Sequence, residues 1–201
     1  HPRADRRGRR RATSTVQALL AILCAAARDG VKVYFTGPAP SKRKKQPVMP
    51  PDETKILRSK ILKMILRRYI VVPEAKLNSL IFYFGVPKGV LDGVVQDWRI
   101  VYHAGANKLN DAVWVPSFWL PRVDSLLRIV DFDSCMEDRD IGEMFLNFEL
   151  DPKVRSYTGV DVAPLDIPKE EGAASWMQWC RNLMGFKSSP HNSIKMYLIT
   201  E

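Results

Sequence analysis

Apolar residues recur at helical spacing over Ile56, Ile61, Met64, Ile65 and Tyr69, the period of an amphipathic helix. Pro51, Asp52 and Glu53 stand at the head of this stripe. A proline fits a first helical turn, and acids there meet the positive end of the helix dipole. The pattern predicts a helix over 52–69. Lys55, Arg58, Lys60, Lys63, Arg67 and Arg68 fill its remaining surface, so the helix is basic and suits either a polyanion or plain solvent.

Upstream, the run from Val16 to Ala27 is apolar except for Gln17. It is too short to span a bilayer as a helix. Following the Arg-rich residues 1–13, it reads as a short helix or as a segment resembling a targeting signal. Residues 37–51 combine Gly37, Pro38, Pro40, Pro47, Pro50 and Pro51 with a basic run from Lys42 to Lys45. Prolines at that density exclude a helix or a central strand, so the stretch reads as linker.

Past Ser79 the period changes. Leu80–Phe84 and Trp98–Tyr102 are short aromatic and β-branched runs that predict strands. Residues 91–97 read as an insertion between them. Pro121–Ile129 predicts a helix, Ser134–Asp138 a short strand, and 141–150 a strand end turning into a helix. Ala173–Met184 is amphipathic and Trp-rich, and Asn192–Leu198 predicts a further helix. The mixture gives an α+β fold class. Its expected divisions are a basic arm, disordered, with a Pro-rich linker (1–51), a basic helix (52–69), and regions 70–130 and 131–201.

Charge sharpens this division. The 201 residues carry 31 Lys+Arg against 22 Asp+Glu, a net charge of +9. Residues 1–50 hold 12 basic and 2 acidic residues, whereas the rest of the chain holds 19 and 20. Residues 51–100 are basic, 9 against 5, and residues 101–150 acidic, 4 against 9. That succession suits a protein that grips a polyanion and places cations beside it, and equally an uneven surface. Cys24, Cys135 and Cys180 are too few and too widely spaced for a disulfide scaffold or a zinc site. A reducing, intracellular compartment and no membrane partner are expected. A Ser or Cys hydrolase is disfavoured, because no Gly-x-Ser-x-Gly motif is present.

The candidate chemistry lies in three segments. The first is Asp138-Arg139-Asp140-Ile141-Gly142-Glu143-Met144-Phe145, an acid leaving a short predicted strand with an aromatic ring five positions on. The second is Arg181-Asn182-Leu183-Met184-Gly185-Phe186-Lys187-Ser188-Ser189-Pro190, a glycine turn running into a helix. The third is Val86-Pro87-Lys88-Gly89, followed by Asp97-Trp98-Arg99 and Leu109-Asn110. Each alone also fits an ordinary surface loop, capped helix or strand edge.

In order and spacing the three together resemble reverse transcriptases, over Tyr69 to Ile199. The first segment resembles motif A, the second motif B, and the third the fingers. The resemblance implies right-hand polymerase fingers over 70–130 and a partial palm over 131–201. It implies that Asp140 binds Mg²⁺, with the Ile141 carbonyl as a second contact. Two such cations would stabilise the attacking and leaving oxygens of nucleotidyl transfer. Lys88 and Arg99 would hold the triphosphate of a deoxynucleotide, one as a point charge and one through its planar fork. Glu143, Met184 and Gly185 would line the nucleotide pocket, and Phe145 would exclude a 2′-hydroxyl. The implied partners are an RNA template and a DNA primer. The chain departs from the pattern at Leu183 and Met184, where Pro and Gln are usual, and at His103, where an Asp is common. No Asp-Asp pair follows Pro190, so these residues by themselves are expected not to polymerise. A non-catalytic nucleic-acid-binding protein and a decayed retroelement remnant are the alternative readings.

Overall fold

The computed structural model describes residues 17–92, 94–118, 122, 124, 125, 128, 130, 133 and 142–200. It is a mixed α+β structure built on small antiparallel sheets. Residues 17–29 form helix α1, the short helix read from the apolar run. Strand β1 (Tyr34–Phe35) pairs antiparallel with β5 (Val113–Trp114).

Helix α2 spans Pro51–Leu66, with Pro51 in its first turn beside Asp52 and Glu53. Leu57, Ile61 and Ile65 form its buried stripe, each contributing about 1.5–3 kcal/mol by leaving water. The sequence stripe had named Ile61 and Ile65 but passed over Leu57. The helix also ends earlier than its periodicity predicts. Tyr69 N donates to Met64 O at 2.9 Å and Arg68 N to Ile65 O at 2.9 Å, while Arg68 takes a φ of 56°. This is a Schellman closure with an arginine at the position usually held by glycine. No glycine marks the stop, so the pattern ran on to Tyr69.

Residues 37–50 have neither helix nor named strand, as their prolines require, but they are not a loose linker. Gln46 is buried and acts as a surrogate strand neighbour. Its Nε2 donates to Tyr83 O at 2.6 Å, and its Oε1 accepts from Tyr83 N at 3.1 Å. Gln46 N donates to Asp161 Oδ2 at 3.2 Å. Val31 and Val33, just ahead, are buried in the core. The disorder expected of the basic arm therefore does not hold over 17–29, which form α1, and the Pro-rich stretch after it is tied to the core. Backbone groups that no neighbouring strand satisfies are met here by a glutamine side chain.

Strands β3 (Phe82–Leu91) and β4 (Val94–His103) form one long antiparallel hairpin, in register from Phe82↔His103 to Leu91↔Val94. Residues 91–97 are thus its tip and the start of β4, correcting their reading as an insertion. Strands β2 (Ile70–Val71), β7 (Trp176–Trp179) and β6 (Gly159–Asp161) make a three-stranded sheet in the order β2-β7-β6. The Trp-rich stretch is therefore strand at its centre. Trp179 is fully buried and meets Tyr102 edge-on at 4.9 Å between ring centroids, joining this sheet to the hairpin. Helix α3 (Leu109–Ala112) is a single turn, and helix α4 spans Ser189–Thr200, around the stretch predicted helical. The predicted strand 134–138 lies outside the described residues, as does most of the predicted helix 121–129. No helix among the described residues is long and apolar enough to cross a membrane.

Candidate functional site

Alternation along a strand decides which side chains share a face. In the hairpin, Lys88 pairs with Asp97 and Val86 with Arg99. Lys88 and Arg99 therefore lie on the same face, diagonally one cross-strand pair apart, and both are exposed. Phe84 and Val86, 40% and 39% exposed, share that face. The opposite face turns inward. There Tyr83 pairs with Tyr102, both buried, and Gly85 N donates to Glu53 Oε1 of α2 at 2.6 Å. Tyr83 also donates its hydroxyl to Asp161 O at 3.0 Å. Burial, with Asp161 nearby, pushes the Tyr83 phenol far above its ordinary range, so it stays a neutral donor. Asp97 pairs with Lys60 at 2.8 Å, and this bond is the first cause holding its carboxyl below the usual range.

The hairpin leads into a turn that carries the Leu-Asn pair. Asn107 is buried and donates Nδ2 to Ser79 Oγ at 2.5 Å and to Leu80 O at 2.9 Å, while its Oδ1 accepts from Leu109 N at 3.2 Å. The next asparagine reaches across the molecule. Asn110 Nδ2 donates to Gly185 O at 2.9 Å, and its Oδ1 accepts from Lys187 N at 2.9 Å. Lys187 Nζ then donates to Val113 O at 3.0 Å. One side chain thus clamps both sides of the glycine turn, 75 residues away in sequence. Gly185 has a φ of +93°, and a Cβ there would collide with the Tyr102 carbonyl oxygen. Its backbone lies against β4, an approach that only glycine permits.

The segment after Gly142 approaches the same turn. Glu143, at φ 52°, opens a 3₁₀ turn over Met144–Asn147 that contains the half-buried Phe145. Glu149 then bridges antiparallel to Arg181. Leu150 N donates to Cys180 O at 2.8 Å, and Asn182 N to Phe148 O at 2.8 Å. The residues leaving the motif-A-like segment therefore pair with those entering the motif-B-like turn. Asn182 and Ser189 lock the far side, with Ser189 Oγ 2.6 Å from Asn182 Oδ1 and 2.7 Å from Leu183 O.

Glu143 is not a free carboxylate. It accepts from Arg67 Nη1 at 2.6 Å and from the Tyr69 hydroxyl at 3.4 Å. Arg67 and Arg181 lie over the Tyr69 ring at 6.0 and 5.3 Å, a cation–π arrangement. This basic cluster ties the end of α2 to both segments. Sequence reading gave Arg67 only a place on a charged helix face and gave Arg181 no role.

Of the residues read as a site, Lys88 and Arg99 share one face, and the turn at Met184 and Gly185 is clamped by Asn110. Phe145 and Glu143 sit on the segment that pairs with the approach to that turn. Met184 is 37% exposed. Asp140 and Ile141 lie outside the described residues, so the proposed magnesium ligands have no geometry here. Among the described residues no group of three or more His, Cys, Asp or Glu side chains is gathered for a metal. Glu143, the described acid nearest Asp140 in sequence within this segment, is committed to Arg67. No protein-family model matches the chain, and no curated protein matches it.

Proposed function

We propose that the chain is the fingers and part of the palm of a reverse-transcriptase-like polymerase, acting in RNA-directed DNA synthesis. The observation that carries this reading is the clamp of Asn110 on Gly185. Three segments that resemble separate polymerase motifs are distant in sequence, yet two of them meet directly there. Residues 148–150, which follow the motif-A-like segment, pair with 180–182, which lead into the motif-B-like turn. Lys88 and Arg99 on one exposed face support the reading further, since a polyphosphate needs two cations on one side.

In this proposal Lys88 and Arg99 neutralise the triphosphate, and the Gly185 turn gives the nucleotide close access to backbone. Phe145 stands under the sugar. Asp140 would hold magnesium, which would supply the charge stabilisation of phosphoryl transfer.

The reading is tested by titrating the chain with a fluorescent deoxynucleoside triphosphate in Mg²⁺. Lys88→Glu and Arg99→Glu are each expected to weaken binding at least tenfold, about 1.4 kcal/mol, and Lys55→Glu on the solvent side of α2 to leave it unchanged. Primer extension on an RNA template, by the natural polypeptide containing these residues, should vanish with Asp140→Asn while nucleic-acid binding persists. Absence of Mg²⁺-dependent nucleotide binding, or equal binding by the Lys88 and Arg99 variants, would refute the proposal. Nucleic-acid binding that survives with no nucleotide binding would point instead to a non-catalytic binder.

A further inference from the structure

Lys88 and Asp97 stand directly opposite each other in the β3–β4 hairpin. Alternation along the strands puts both on the exposed face that also carries Arg99. Opposite charges across an antiparallel pair attract, so the register makes them ready partners. The structure shows a different pairing. Asp97 is held instead by Lys60 Nζ of α2, at 2.8 Å. Lys88 and Arg99 make no ion pair among the described residues.

Packing explains the choice. Lys60 stands beside Ile61 and one turn after Leu57, both fully buried, and its own side chain is only 28% exposed. A lysine whose stem is already packed loses less rotamer freedom on pairing than Lys88, which is exposed on the strand. Asp97 still feels Lys88, but Lys60 is the first cause lowering its carboxyl. The hairpin has a second tie to α2, the bond from Gly85 N to Glu53 Oε1 at 2.6 Å, and its strands hold each other in register over their length. The Lys60–Asp97 pair is therefore not what keeps the hairpin in place, and its consequence is one of charge.

We infer that Lys60 is a positioning residue for the polyphosphate face: it occupies Asp97 and so leaves Lys88 free to join Arg99 in holding a polyphosphate. Without Lys60, Asp97 turns to the lysine across the strands and cancels one of the two cations. Lys60 acts through Asp97 and need not touch the phosphates itself. The inference rests on the proposed function in taking a nucleotide triphosphate as the ligand of Lys88 and Arg99.

The test is calorimetric titration of residues 1–201 with inorganic triphosphate, with Lys60→Ala made in two backgrounds. Beside Asp97, Lys60→Ala should weaken binding at least about threefold. Beside Asp97→Asn, the same change should alter it by less than about 1.5-fold, because no carboxylate remains to capture Lys88. Lys55→Ala, exposed on the same helix, removes the same charge and should also change binding by less than about 1.5-fold. A ligand-free measurement checks the change of partner: in NMR titration of the Asp97 carboxyl, Lys88→Ala should raise its pKa more in the Lys60→Ala chain than in the unaltered one. An equal effect of Lys60→Ala in both backgrounds, or an equal rise in both chains, would overturn this inference alone, since loss of charge by itself acts alike in each. Failure of the unaltered chain to bind triphosphate would overturn it together with the nucleotide reading. If both measurements come out as expected, yet a deoxynucleoside triphosphate in Mg²⁺ binds no better than inorganic triphosphate, the role of Lys60 stands and the polymerase reading falls.

Discussion

Replacing Gly185 by alanine isolates the contact on which both fold and proposed site depend. Two penalties arise together. A positive φ of +93° in a residue with a Cβ costs about 1–3 kcal/mol. The new Cβ also meets the Tyr102 carbonyl, so the turn must move off β4. Movement breaks the two bonds that Asn110 makes to Gly185 O and Lys187 N, at about 0.5–1.5 kcal/mol each. Together these effects amount to about 2–6 kcal/mol. For a chain of this size 1 kcal/mol lowers the melting midpoint by about 2–4 °C. Urea unfolding followed by tryptophan fluorescence measures the loss, because Trp179 is fully buried beside Tyr102. Gly142→Ala is the control, since a Cβ there meets none of the described residues within 4 Å. It should stay within about 0.5 kcal/mol of the unaltered protein. If Gly185→Ala also stayed within that margin, the close approach to Tyr102 and the clamp built on it would be wrong.

Asn110→Ala should cost about 1–3 kcal/mol by the same unfolding measurement, and Asn110→Asp should recover part of this by keeping the acceptor for Lys187 N. Gln46→Ala leaves the Tyr83 N–H and C=O unpaired in the interior and should cost about 2–5 kcal/mol. Arg68→Gly relieves a left-handed arginine at the end of α2 and should leave stability unchanged or raise it by up to about 1 kcal/mol. The Asp97 carboxyl is held below its ordinary range chiefly by Lys60. Its contribution to stability is therefore complete above the unfolded-state Asp range and is lost as the pH falls through the depressed folded value. Carboxyl NMR titration should show that depression shrink in Lys60→Ala, with the Trp98 backbone bond and Lys88 still lowering it.

Local chemistry made several elements legible in the sequence. The apolar stripe and the acid-rich first turn announced α2, because a helix buries a face of fixed period whatever it packs on. The aromatic and β-branched runs announced β3 and β4, and the prolines of 37–51 excluded regular structure there. The candidate segments were visible as residue types at particular spacings: a lysine and an arginine flanking a hairpin, an acid followed by an aromatic, and a glycine ahead of Ser-Pro. Other features depend on partners remote in the chain and have no local signature. The stop of α2 at Leu66 rests on an arginine accepting a conformation usual for glycine. The order of residues 37–51 rests on Gln46 finding the Tyr83 backbone 37 residues away. Glu143 was read as part of a nucleotide pocket, but its ion pair with Arg67 spans 76 residues. The meeting of Asn110 with Gly185 exists only once distant segments pack. Sequence spacing fixes which groups a segment carries and which face they share; only close packing in three dimensions decides which of them are already satisfied and which remain available to a ligand.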